Sequence, residues 1–356
     1  MSTFAQLSPP APQSQRANAS QRIIAGGILI AFCFWASSVL MTVLLSILVA
    51  YFLDPLVELL ERFSMPRFAG ALIAVMMLLL VVILLGWTVW DRVDSFAADW
   101  PKYREPLKLY AAEIEARLQK LERGVSEISP QDRGARPTVR LEEGRSIRSL
   151  LLTGLGSLYS ILLAATFVPF LVFFMLAGKR DMWHATMQLF PSSERTRVKN
   201  TLDDISAMLR SYVAGNAIVA AILIVMSWLF FLVIGIDYPL LNALVSGMLN
   251  MVPYLGVAMA ILPPLVVGLT KFSAWELAGI AGMLGFFHVI AGNVLVPALV
   301  GKKVHLNALA VTVSLLFWGW MWGAIGFILG IPITAAAKVI CDRVDRWQPI
   351  GRWLGA

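Results

Sequence analysis

The sequence predicts an all-α polytopic membrane protein of about eight membrane segments. Some are broken or re-entrant helical hairpins, and a small helical insertion lies outside the bilayer. Three observations carry this. Hydrophobic residues fill 58% of 356 positions, charged residues only 14%, and the mean hydropathy is +0.75; a soluble domain carries about 25% charged residues. The apolar residues are gathered into runs near the ~20 residues that a helix needs to cross a bilayer. The lysines and arginines behind the net charge of +7 sit beside those runs. That is the pattern of the positive-inside rule; no nucleic-acid partner is expected.

Residues 1–21 are polar and rich in Pro, Ser and Gln, which reads as a disordered cytoplasmic tail. Residues 22–90 hold the first three membrane segments. The run 23–53 is long for one helix and short for two, so a tight hairpin reversing at Ser37-Ser38 is expected. It ends at Asp54-Pro55, where Asp54 suits the cap of a short helix with Pro55 as its first residue. A proton-carrying role for Asp54 is the alternative. The third segment, 69–90, ends in Trp87 and Trp90, as an interfacial end does.

Residues 91–148 form the one sizeable polar region. Trp100, Tyr103, Leu107, Tyr110, Ile114, Leu118 and Leu121 recur at intervals of three and four, the spacing of an amphipathic helix. This extracytoplasmic insertion is expected to be separable from translocation. Residues 149–178 give the fourth membrane segment. Residues 190–211 place Val198, Leu202, Ile205 and Leu209 on one stripe, with Arg195, Arg197, Lys199 and Arg210 around it. That pattern suits an amphipathic helix lying on the inner leaflet.

The C-terminal membrane core covers 212–340. Its first span contains Gly215-Asn216, and a later full-length span covers 275–299. Between them, 239–270 is almost wholly apolar, yet it is interrupted by Asn250, Pro253 and Gly256. Proline has no N–H to give and glycine is a poor helix residue. Backbone freed there must be satisfied by protein or by cavity water, because lipid cannot do it. Broken helices of this kind mark substrate sites in transporters. A second hairpin is expected over 305–340. LNALVSG at 241–247 matches LNALAVT at 306–312, and GVAMAILPP at 256–264 resembles GAIGFILGIP at 323–332. One hairpin enters from outside and the other from inside, as inverted-topology repeats do. Residues 341–356 form a cytoplasmic tail.

MLNMVPYLGVAMAILPPLV, GNVLVPALVGKKVHLNALAV and GAIGFILGIPITAA together resemble the autoinducer-2 exporter family of bacterial inner-membrane proteins. The DPL after the first segments and LRSYVAGNA at the fifth span fit as well. The family pattern often has Gln after that span's glycine, where this chain has Asn216. The resemblance covers about residues 20–345. It implies a homo-oligomer in the inner membrane that exports small polar molecules, autoinducer-2 being the eponymous one. Some relatives are assigned to sodium–proton exchange.

The candidate solute-binding groups are Asn216, Asn242, Asn250, Pro253, Tyr254, Gly256 and Asn293. Amides and hydroxyls can replace the hydrogen bonds that a polyol loses with its water shell. Helix–helix hydrogen bonding is the structural alternative for each asparagine. Cation–proton exchange needs carboxylates at membrane depth, and the C-terminal membrane core, 212–340, offers only Asp237 and Glu276, both near interfaces. A non-transporting cell-envelope scaffold is a third reading. His184, His288 and His305 lack ligand spacing, and no nucleophile motif or phosphate loop occurs, so neither an enzyme nor a cofactor is expected.

Overall fold

The computed structural model describes residues 19–126, 164–250, 255–300 and 306–355, and all regular structure in them is helical. Among the described residues, five helices are long and apolar enough to cross a membrane, with four shorter apolar helices beside them. The most apolar stretch of each long helix is only 22–33% buried within the chain. Most of that apolar surface therefore has lipid or another copy as its solvent, and the chain is a multi-pass helical membrane protein.

Helix α1 (Ala19–Trp35) and α2 (Ser37–Arg62) meet at Ala36. The Ala36 N–H donates to Phe32 O and the Leu40 N–H donates to Ala36 O. The helical ladder thus runs across the junction, and the chain bends there instead of reversing as expected. Nor does the helix stop at Asp54. Pro55 lies inside α2, at the cost of one ladder bond, and Asp54 caps nothing.

Helix α3 (Arg67–Ser126) is 60 residues long, roughly 90 Å at 1.5 Å per residue. The hydrocarbon layer is about 30 Å, so its second half must project beyond the bilayer. Residues 91–126 are therefore a direct continuation of the third span; 127–148 lie outside the described residues. Helix α4 (Ala164–Ala177) covers the later part of the expected fourth segment, whose residues 149–163 lie outside the described ones, and α5 (Lys179–Gln188) follows after Gly178.

Helix α6 (Arg195–Ile234) is the scaffold. The stretch 190–211, expected as a separate interfacial helix, is largely its first half. Met208 and Leu209 are buried there against α2 and the last hairpin. Gly235 ends α6 at φ 68°, with Gly235 N–H on Leu232 O and Ile236 N–H on Phe231 O. That left-handed cap favours glycine.

Next come α7 (Pro239–Leu249), α8 (Leu255–Gly268) and α9 (Ala274–Ile290), then a π-helical turn Ala291–Leu295 and α10 (Val296–Leu299). Helix α11 (Ala308–Arg343) is broken at Gly323, and α12 (Gln348–Gly355) closes the chain. Two principal cores flank α6. One joins α7–α9 to Phe231 and Tyr103; the other joins α11 to Leu48, Met208 and Leu209.

Candidate functional site

The first hairpin pairs α7 with α8. Ser246 Oγ donates to Ala260 O at 2.6 Å across the arms. At the base, Lys271 Nζ donates to Gly235 O. At the tip, a Cβ on Gly256 would overlap the Leu249 carbonyl oxygen and lie 3.0 Å from Asn250 Cα. Only glycine lets the arms close so tightly. The arms contain 11 and 14 residues, roughly 16 and 21 Å of helix. Neither reaches across about 30 Å of hydrocarbon, and both bases lie together, so the hairpin is re-entrant.

The second hairpin folds at Gly323 (φ 62°, ψ −138°), backbone that side chains other than hydrogen disfavour. A Cβ on Gly326 would overlap Trp318 O, and one on Gly319 would strike the Phe327 ring. Ser314 Oγ donates to Gly330 O at 2.8 Å and lies 2.7 Å from Thr334 Oγ1. Each hairpin is thus clasped by a buried serine on its first arm and a carbonyl on its second.

The two hairpins leave opposite ends of α6. The first follows directly on Gly235, and Gly247 packs tightly on the Ile224 side chain. The base of the second is tied to the start of α6 by the ion pairs Arg343–Asp204 and Arg197–Asp345 (2.9 Å). This arrangement matches the inverted repeat read from the sequence.

Of the candidate residues, Asn250 and Gly256 come together at the tip of the first hairpin. Asn242 lies at its base, 3% exposed, with Nδ2 donating to Asp237 O (2.9 Å) and Tyr238 O (3.1 Å). Eight residues of helix, about 12 Å, separate it from Asn250. Asn216 Nδ2 donates to Tyr212 O, and Asn293 Nδ2 to Val289 O, both at 2.9 Å. In an apolar medium an amide takes the nearest carbonyl, four residues back. Asn293 sits in the π-helical turn. Pro253 and Tyr254 lie outside the described residues.

Two polar networks escaped sequence reasoning. At the base of the first hairpin, Tyr103 Oη donates to Asp237 Oδ2 (3.1 Å), Lys102 pairs with Asp237 (3.3 Å), and Tyr238 Oη donates to Asp99 Oδ2 (2.6 Å). Tyr103 is fully buried between the two elements. The Asp99 carboxylate holds the neutral phenol of Tyr238 and pushes its pKa up to about 12. A cavity of about 500 Å³ opens beside this latch, lined by Arg92, Lys102, Trp228, Tyr238 and Leu241 among others. Asp99 and Tyr103 stand four apart on α3, a spacing that puts them on one face.

The other network surrounds Asp54, which is 2% exposed. Its carboxylate pairs with Arg67 (2.9 Å), Lys179 (2.5 Å) and Arg210, joining α2, α3, α5 and α6. Glu58 pairs with Arg210 (3.1 Å), and Glu61 pairs with Arg67 (2.9 Å) and Arg180 (3.2 Å). Acids at 54, 58 and 61 share one helix face, which is the signal that the cap reading overlooked.

These features define a multi-pass helical membrane protein built around two broken hairpins on one scaffold helix, the first of them re-entrant. The family model described as "AI-2E family transporter" matches residues 23–346, and the chain belongs to that family of membrane transporters. It is similar to the AI-2 transport protein TqsA of Escherichia coli (strain K12), 24% identical over 331 residues, which cover 92% of this chain and 93% of that one. It is also similar to the "Putative transport protein YrrI" of Bacillus subtilis (strain 168), 26% identical over 318 residues, covering 86% and 87% of the two chains.

Proposed function

We propose that the protein exports a small, neutral, polar solute across the bacterial inner membrane, with autoinducer-2 or a related metabolite as the cargo. The reading rests on one observation: two broken hairpins start from opposite ends of α6. Asn250 and Gly256 at the first tip and the glycine turn at Gly323 in the second support this, because a break in a membrane helix is where a polyol can find replacements for water. The name of TqsA gives the cargo its first candidate. In this reading both termini are cytoplasmic, the second half of α3 is outside, and several copies assemble through their apolar flanks. The protein is a carrier and performs no chemistry on its cargo. The latch at Asp237 and the cluster at Asp54 then close the two ends of the path.

Cation–proton exchange is less well supported. The buried carboxylate at Asp54 is engaged by three cations, and binding an ion there requires displacing them.

The test is uptake of labelled autoinducer-2 and of small polyols into proteoliposomes, with and without a proton or sodium gradient. Saturable flux of a neutral solute is expected. Movement of sodium or protons with no solute flux would favour exchange, and a folded chain that moves neither would favour the scaffold.

A further inference from the structure

Helix α12 is sealed to the second hairpin on one side and unpartnered on the other. Asn307, the N-cap of α11, accepts from the Ala310 N–H at 2.7 Å. The same residue donates Nδ2–H to Trp353 O (2.7 Å) and its backbone N–H to Leu354 O (2.9 Å). Gly351 is buried on Asp342, and a Cβ there would overlap Asp342 Oδ1. These contacts fix how α12 is rolled about its axis.

With the roll fixed, Ile350 and Trp353 face away from the protein, 53% and 56% exposed, and Trp347 just before the helix is 46% exposed. Ile350 and Trp353 are one turn apart and share a face. Arg346 and Arg352 are exposed beside them. Large apolar side chains, two of them tryptophan, with arginines at their flank are the pattern of a helix lying in the headgroup region. The position agrees with this. Helix α12 follows Arg343 at the base of a hairpin that enters the bilayer, and the ion pairs of that base mark the level where the chain meets water.

We propose that α12 lies flat in the leaflet on its side of the membrane, with Trp347, Ile350 and Trp353 at the acyl boundary and Arg346 and Arg352 on anionic lipid phosphates. The bilayer surface then holds the base of the second hairpin through the two hydrogen bonds that Asn307 donates to α12. A second copy of the chain fits this face less well. Three side chains offer far less than the roughly 800 Å² per partner of a stable interface. A symmetric contact would also bring the arginines of both copies together. An anionic surface instead strengthens binding by about fivefold for each arginine that reaches it.

The test uses the full chain with Cys33→Ser and Cys341→Ser, reconstituted in vesicles of phosphatidylcholine alone or mixed with phosphatidylglycerol. A fluorophore on Ile350→Cys is read against lipids brominated near the headgroup or deep in the acyl chain, and against aqueous iodide. The same label on Arg104→Cys, an exposed position on α3, serves as the reference. Shallow brominated lipid should quench position 350 and leave 104 untouched. Iodide should do the reverse, and phosphatidylglycerol should deepen the lipid quenching. Replacing Arg346 and Arg352 with Gln should remove the phosphatidylglycerol effect and leave folding intact. Free quenching of position 350 by iodide would overturn the proposal. So would protection from iodide without lipid quenching that disappears on dilution of protein in the vesicles, which would identify a second copy as the occupant.

Discussion

Ser246 donates its hydroxyl to the carbonyl of Ala260 across the first hairpin at 2.6 Å, fourteen residues apart in sequence. Ser314 makes the same contact with Gly330 in the second hairpin. Helices in lipid gain no hydrophobic drive toward one another, so short polar clasps and close backbone approach must hold the arms. Ser246→Ala and Ser314→Ala should each cost about 1 kcal/mol and loosen one hairpin. Thermal unfolding in detergent, read beside transport per folded molecule, checks this. Transport should fall more than stability in both variants.

Gly256 is a test of close approach. A methyl group there meets the Leu249 carbonyl, whereas a methyl group on Gly279 of α9 meets nothing within 4 Å. Gly256→Ala should open the tip and reduce transport severely. Gly279→Ala should be neutral or stabilising by up to about 1 kcal/mol. Equal behaviour of the two variants in reconstituted flux would show that the tip geometry is not used.

The latch between α3 and the first hairpin carries a pH signature. The folded-state pKa of Tyr238 is raised from 10.0 to about 12. A raised value contributes stability that is fully present below pH 10 and is lost as pH rises through about 12. Melting temperature should therefore drop between those limits in the native chain, and Tyr238→Phe should flatten that part of the profile. Tyr103→Phe, which removes the bond to Asp237, should also free the outer half of α3. Faster hydrogen exchange over 92–109 would report it.

Asp54 separates stability from ion coupling. Asp54→Ala leaves three cations without their shared partner and should destabilise the fold by about 3–5 kcal/mol. Asp54→Asn keeps the shape and should be milder. Solute flux per folded molecule should survive Asp54→Asn in detergent-screened, folded protein. Loss of all flux with the fold preserved would give Asp54 the ion-carrying role instead.

Much of the architecture was legible in the sequence because lipid imposes simple rules. Apolar runs and the break at Asn250–Gly256 could be read directly, since backbone in a bilayer cannot be left unsatisfied; the turn at Gly323 is set by its backbone conformation, which composition does not mark. The boundaries were harder. Polarity changes at Asp91, but α3 does not end there, because backbone hydrogen bonds continue wherever the local residues allow helix. Asp54 reads as a cap in the sequence because its neighbour is proline. Its real partners, Arg67, Lys179 and Arg210, come from three other elements, and sequence distance hides them. The asparagines show the same limit. Composition marks them as polar groups in a membrane, yet Asn242 serves the loop at the hairpin base while Asn250 stands at the tip.

If cargo passes the tip of the first hairpin, position 250 reports on it. Asn250→Cys, in the chain carrying Cys33→Ser and Cys341→Ser, is to be treated with a polar, bulky thiol reagent in proteoliposomes. Flux of the neutral solute is then measured with and without saturating solute during labelling. Modification should stop transport, and the solute should protect against it. Full modification of position 250 with undiminished transport would contradict that route and remove the hairpin tip from the path.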